Sequence, residues 1–257
     1  MPGPARGAAL VTGAGRRIGR VLALEAARAG YDVAVHHRAS VAEAEETAQA
    51  VRALGRRAVL VHADLSDETA VRGLIDQIST EGAQELAPVT LLVNSASAFE
   101  DDRVGGLSRD RWDLHLETNL RAPIVLTEAF AAALPADVQG LVINIVDQRV
   151  LRPNPQFFSY SLAKAGLWWA TQTLAQALAP RIRVNAIGPG PTLPSVHQAP
   201  GEFEAEAAGT LLQRRATPDE VAAALRYLID ATSVTGQMIA VDGGQHLGWK
   251  TPDIVSP

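Results

Sequence analysis

Apolar runs of four to eight residues alternate along this chain with longer stretches in which apolar residues return at helical spacing. Short continuous apolar runs read as strands buried on both faces, and the stretches between them as helices covering a parallel sheet. The pattern predicts strands at about 8–12, 32–37, 57–62, 89–94, 139–146, 182–187 and 236–241. It predicts helices near 17–29, 41–54, 68–82, 109–134, 157–179 and 217–230, with an isolated helical piece near 202–213. The fold class is α/β, a doubly wound parallel sheet of Rossmann type with about seven strands and helices on both faces. No composition shift, linker or repeat divides the sequence, so residues 1–257 read as one domain. In such sheets ligands bind beyond the carboxyl ends of the strands, and the residues just after each strand are where chemistry is to be sought.

Composition narrows the function classes. Apolar residues make up 47% of the chain, enough for a large core. A formal charge of −5 argues against nucleic-acid or anionic-membrane partners, which require a basic face. There is no cysteine, hence no disulfide framework or thiolate metal site, and the six histidines show no metal-ligand spacing. The apolar run before the first glycine turn is too short for a signal-peptide core, and no stretch reaches the roughly 18 residues of a membrane span. The expectation is a soluble, cytoplasmic enzyme with a small-molecule substrate and no metal.

The first predicted strand runs into "TGAGRRIGR", Thr12 to Arg20, and then into a helix. Glycines let the backbone approach a pyrophosphate, which the free N–H groups and positive dipole end of the helix attract. The spacing departs from GxGxxG, because Ile18 stands where the third glycine belongs and Gly19 follows it. The second strand ends in "VAVHHRAS", where an acid would accept from the ribose of NAD. Arg38 is at this tip with Ser40 beside it, so a 2′-phosphate finds a cation and a hydroxyl. The cofactor expected is NADPH/NADP.

Residues 144–164, "NIVDQRVLRPNPQFFSYSLAK", close an apolar strand with Asp147 and place Tyr160 four residues before Lys164. A carboxylate at the end of a buried strand is costly unless something pairs with it. The chain has only three tyrosines and two lysines, so the Tyr/Lys pair is not expected by chance. Residues i and i+4 share one helix face, so the ammonium is predicted to lower the phenol pKa from about 10 and make it a usable proton donor.

"TGAGRRIG", "VNSAS", "NL" at 119–120, "YSLAK" and "VNAIGPG" together resemble the short-chain dehydrogenase/reductase family, and the resemblance runs along essentially the whole chain. It implies a catalytic group of Tyr160, Lys164 and Asn119, with Asp147 where the family carries serine. It further implies that Lys164 binds the nicotinamide ribose, that Asn119 supports a proton-relay water, that Pro189 and Gly190 border the nicotinamide, and that Asp64 meets the adenine. The candidate cofactor-binding set is Gly13, Arg16, Arg17, Ile18, His37, Arg38, Ser40, Asp64, Leu65, Asn94, Ser95, Ala96, Tyr160, Lys164, Pro189 and Gly190. A homotetramer is also implied, which the apolar helix around Trp168 permits; Trp168 and Trp169 read as packing or subunit interface.

Three positions depart from the family pattern together: Arg17 for the middle glycine of the turn, Ser97 for the glycine of NNAG, and Asp147 for the serine. The same three replacements, with a phenylalanine two residues after Ser97, resemble the pterin-reducing branch. That resemblance implies that Phe99 stacks on a pterin opposite the nicotinamide, that Arg17 and Ser97 reach substrate and cofactor phosphate, and that Asp147 and Tyr160 face the pterin edge. Nothing in the substrate accounts for Ser95 in place of the second asparagine. The segment at about 190–215 is expected to cover the substrate, and "DDR" at 101–103 reads as a solvated loop. Three functions follow: NADPH-dependent reduction of a pterin, reduction of an ordinary carbonyl or imine, and a non-enzymatic NADPH-binding scaffold, against which Tyr160, Lys164 and Asn119 count.

Overall fold

The computed structural model describes residues 6–81, 86–195 and 197–251, and the predicted helix end at residue 82 lies outside them. Seven strands, β1 (Ala8–Val11), β2 (Asp32–His37), β3 (Ala58–His62), β4 (Val89–Asn94), β5 (Gly140–Ile145), β6 (Ile182–Pro189) and β7 (Met238–Val241), form one sheet in the order β3-β2-β1-β4-β5-β6-β7. Every pairing is parallel. The strand order reverses beside β1, which opens a crevice at the carboxyl ends of β1 and β4.

Strands β1, β2, β4 and β5 are buried at every residue, because helices cover both faces. On one face α1 (Arg17–Arg28), α2 (Val41–Ala53) and α8 (Pro218–Asp230) contribute Leu22, Val51 and Leu225 to a core with Val33 and Ile143. On the other, α3 (Glu68–Glu81), α5 (Ala122–Ala133) and α6 (Phe158–Leu178) pack Leu74, Val125, Phe130 and Ala175 against Leu10, Leu92 and Val142. Leu22 and Leu92 are fully buried, and truncating either to alanine would cost about 2–5 kcal/mol. Thr217 and Glu220 form a reciprocal capping box with Pro218 in the first turn, which fixes where α8 starts. No helix among the described residues is long and apolar enough to cross a membrane.

Two predicted helices differ from the observed ones. The stretch 109–134 is split into α4 (Arg109–Leu116), a π turn at Glu117–Arg121 and α5. Pro123 has no N–H to bond the carbonyl four residues back, so the ladder steps out and Ala122 N–H reaches Glu117 O instead. The predicted piece at 202–213 ends early, as α7 (Glu202–Ala208), with Gly209 at its C-cap. Strand β7 starts at Met238 rather than 236, since Gly236 is in a left-handed turn at φ +69°.

Candidate active site

The turn after β1 is held from two sides. Gly13 lies at φ +65°, and a Cβ there would be 2.9 Å from Ala96 Cα, so only glycine lets the turn approach the end of β4. Thr12 Oγ1 accepts from Ser95 N–H at 2.9 Å and Ala96 N–H at 3.0 Å, tying the two strand ends together. This gives the Ser95 backbone a role, but nothing in the structure explains its side chain. A Cβ on Gly19 would collide with the Gly13 carbonyl, so Gly19 allows the close helix packing that the third glycine of the dinucleotide turn usually allows, one residue later. Ile18 is half-buried against the core. Arg17 keeps a left-handed φ of +54°, a conformation that costs a non-glycine residue about 1–3 kcal/mol. Its guanidinium donates to Pro194 O at 3.0 Å and Leu193 O at 3.4 Å, joining the turn to the 190–215 segment.

The two histidines that end β2 carry more than their position at a strand end suggests. Gly13 N–H donates to His36 Nδ1 at 3.0 Å, which places the ring proton on Nε2, facing Ala63 O at 3.2 Å. Burial lowers the His36 pKa to about 4, so the ring is neutral and can accept from the turn. Sequence reasoning reads His36 only as one of two histidines ending a strand and assigns it no role, because its partners are 23 and 27 residues away. His37 is buried against His62 with ring centroids 5.5 Å apart, and its Nδ1 has no hydrogen-bond partner among the described residues.

These residues fit a dinucleotide phosphate. The N-cap of α1, Arg16, makes no side-chain cap, and among the described residues no other side chain caps the first helix N–H groups, which suits an anion. Arg38 is exposed, its guanidinium 4.0 Å from Asp64, and a Cβ on Gly15 would be 2.9 Å from Ser40 Oγ, so the hydroxyl borders the turn. Asp64 is held below the usual carboxylate range, first by the Ser66 N–H it accepts at 2.9 Å. Leu65 is buried beside it. At the far end, Gly190 packs so closely on Asp242 that a Cβ would lie 2.6 Å from the Asp242 Cβ, with Pro189 closing β6.

The candidate catalytic side chains Asp147, Tyr160 and Lys164 meet at the carboxyl end of β5. Tyr160 OH donates to Asp147 Oδ2 at 2.8 Å, while Asp147 Oδ1 accepts from Arg149 N–H at 2.8 Å. Lys164, 2% exposed, donates from Nζ to Ile145 O at 2.8 Å and lies 5.8 Å from the Tyr160 ring centroid. Burial pushes the Asp147 carboxyl up and holds Lys164 down to about 8. The predicted lowering of the Tyr160 pKa is not found: burial, and then the Asp147 carboxylate, raise it far above the ordinary tyrosine range. The ammonium is turned to the strand carbonyl, and the carboxylate is the phenol's partner. Asn94 Nδ2 donates to Asn144 Oδ1 at 2.8 Å, which supports the strand ends from below. Asn119, on the π turn, exchanges two hydrogen bonds of 2.8 Å with the backbone of Ala98.

Phe99 follows that Asn119 anchor. Its ring stacks on Phe157 with centroids 4.1 Å apart and planes 9° from parallel, and it stands edge-on to Tyr160 at 4.7 Å. Arg149 sits 5.1 Å from the Phe157 centroid, and His197 Nε2 lies 2.8 Å from Phe99 O. Ser97 is exposed, with its Oγ donating to Ala98 O at 3.2 Å. The 101–103 segment is not the solvated loop the sequence suggests, because Asp102 is buried and hydrogen-bonded to Ser159, 57 residues on.

The profile of a family described as enoyl-(acyl carrier protein) reductase matches residues 13–246. The chain belongs to the short-chain dehydrogenase/reductase family. It is an oxidoreductase of that family. Among solved structures it is similar to FolM alternative dihydrofolate reductase 1 from Brucella suis in complex with NADP, with 50% identity, a TM-score of 0.91, and coverage of 97% of this chain and 99% of that one. The Brucella canis protein, complexed with NADP, gives 49% identity, a TM-score of 0.89 and 98% coverage of both chains. A 3-oxoacyl-[acyl-carrier-protein] reductase of Synechocystis sp. is 32% identical over 245 residues, covering 92% of this chain and 95% of that protein.

Proposed function

We propose that this NADP-dependent oxidoreductase reduces a pterin-type heterocycle of the dihydropterin and dihydrofolate class. The observation that carries the reading is the hydrogen bond from Tyr160 OH to Asp147 Oδ2, 2.8 Å long, beside the Phe99 ring. A carboxylate next to a ketone would repel the oxyanion that develops there. The ring N–H and amino groups of a pterin are donors, which a carboxylate accepts. About half identity over nearly the whole chain to two FolM alternative dihydrofolate reductases supports the same reading.

In this reading Gly13, Arg16, Arg17 and Ile18 hold the pyrophosphate, Arg38 and Ser40 the 2′-phosphate, and His37, Asp64 and Leu65 the adenosine. Asn94, Ser95 and Ala96 line the path to the nicotinamide end, where Lys164, Pro189 and Gly190 meet the ribose and ring. NADPH, when bound, supplies a hydride to the carbon of a C=N bond. Tyr160 and Asp147 supply the proton to its nitrogen. Burial raises both of their pKa values, so the Tyr160 phenol keeps its proton at neutral pH and offers it across the hydrogen bond to Asp147. Asn119 holds the Ala98 backbone and supports a relay water, Phe99 stacks on the ring, and Arg17 and Ser97 face its other groups. The segment 190–215 covers the substrate. Trp169, 69% exposed on α6, lies on a face that a homotetramer would cover.

The test is NADPH oxidation by the purified protein against dihydropterins, dihydrofolate, quinonoid pterin, simple ketones and 3-oxoacyl thioesters. Turnover of dihydropterins or dihydrofolate well above the rest is expected. A preference for 3-oxoacyl substrates, the activity named for the Synechocystis relative, would make Asp147 a protonated hydrogen-bond donor in a carbonyl reductase.

A further inference from the structure

Next to the Tyr160–Asp147 pair is a second polar group that proton transfer does not use. Asp102, Ser159 and His115 come from three separate stretches, and Asp102 is 3% exposed and the other two 0%. Glu100 N–H, which can only donate, is 3.0 Å from His115 Nε2, so that nitrogen accepts and the ring proton is on Nδ1. Nδ1–H then donates to Ser159 Oγ at 2.7 Å, and the Ser159 hydroxyl donates to Asp102 Oδ2. Only this direction of donation satisfies every member. Asp102 Oδ1 also accepts from Ser159 N–H at 3.0 Å, and Asp102 O from Phe158 N–H at 3.1 Å.

These bonds join the two elements that shape the substrate slot. Helix α6 carries Tyr160 and Lys164, and its N-cap residue Phe157 makes no side-chain cap, so Asp102 caps the helix from a distant loop. The loop is the one that carries Phe99, and it is fastened at Glu100 and again at Asp102. We propose that Asp102, acting through Ser159 and His115, is a positioning clamp that sets the gap between Phe99 and the Tyr160–Asp147 edge and so selects a flat heterocycle over a small carbonyl compound. The heterocycle in this statement rests on the function proposed above. None of the three touches the reacting atoms. A displacement of about 1 Å at a reacting group can cost on the order of a hundredfold in rate, so a clamp of this kind affects turnover without taking part in it.

Two variants test the clamp. Asp102→Asn keeps the shape and the acceptor for Ser159 N–H but turns an NH2 donor toward Ser159 Oγ, leaving the hydroxyl proton without an acceptor. Ser159→Ala removes the middle of the chain and keeps the backbone cap. Kcat and KM are measured for a dihydropterin and for a small ketone, with NADPH Kd by titration. The expected result is a ten- to hundredfold loss of kcat/KM for the dihydropterin, a loss under threefold for the ketone, and NADPH Kd within twofold of wild type. Dihydropterin kinetics within twofold of wild type would overturn the proposal. So would equal losses on both substrates, or failure of both variants to bind NADPH, since either marks a purely structural role. If only one variant folds, that one decides. If the wild type reduces ketones but no dihydropterin, the function reading fails separately. The selection of a heterocycle then falls with it, whereas dihydropterin turnover by the wild type with unaffected variants overturns the clamp alone.

Discussion

His36 links acid stability to the cofactor turn. Burial lowers its pKa from 6.5 to about 4 in the folded chain, while the unfolded chain keeps the ordinary value. Between these two pH values the unfolded state binds more protons, so stability rises with pH across the window and is lost as pH falls through it. At about 1.4 kcal/mol per pH unit below 6.5, the loss is about 2 kcal/mol at pH 5 and about 3 kcal/mol near pH 4. His36→Asn puts an amide oxygen near the Nδ1 position and keeps the acceptor for Gly13 N–H, while the link to Ala63 O is lost. Leaving a buried carbonyl unpaired should cost about 1–3 kcal/mol at pH 7. The variant should therefore be the less stable at pH 7, yet lose about 2 kcal/mol less than wild type between pH 7 and pH 5. Urea unfolding at the two pH values measures this directly. His37, His115 and Asp147, also shifted by burial, are common to both proteins and cancel in the difference. Parallel losses in wild type and variant would refute the reasoning, because they would mean that His36 takes up its proton without cost.

Three further outcomes are expected. Arg38→Asp should reverse the preference for NADPH over NADH, since a charge-assisted hydrogen bond contributes about 1.5–3 kcal/mol, roughly ten- to hundredfold in affinity; equal binding of both cofactors by the wild type would contradict the premise. Phe99→Ala should raise the KM for a pterin by the equivalent of about 1–3 kcal/mol and leave NADPH affinity nearly unchanged, which steady-state kinetics and a cofactor titration separate. Asp147→Ser should bind NADPH but lower pterin turnover by about 10²–10⁴, with ketone reduction preserved or improved; wild-type pterin turnover in this variant would remove the main support for the assigned substrate.

Much of this protein is determined by short-range pattern. The alternation of apolar runs and helical stretches specifies a parallel sheet with covered faces, because period and burial are local properties of the chain. The "TGAG" turn and the four-residue spacing of Tyr160 and Lys164 are legible for the same reason: a turn that ends a strand and a shared helix face are local features, whatever later holds them in place. Asp147, thirteen residues upstream of Tyr160, is flagged by its place at the end of an apolar strand. The tertiary structure decided the partners of the polar groups. His36 reads as one of two histidines ending a strand until Gly13, 23 residues earlier, and Ala63, 27 later, close on its two nitrogens. Asp102 reads as loop until Ser159 arrives 57 residues later, and Lys164 reads as the group that acidifies Tyr160 until its ammonium is found on Ile145 O. A hydrogen bond or a pKa depends on which atoms burial brings within about 3 Å, and a sequence without its fold does not contain that distance.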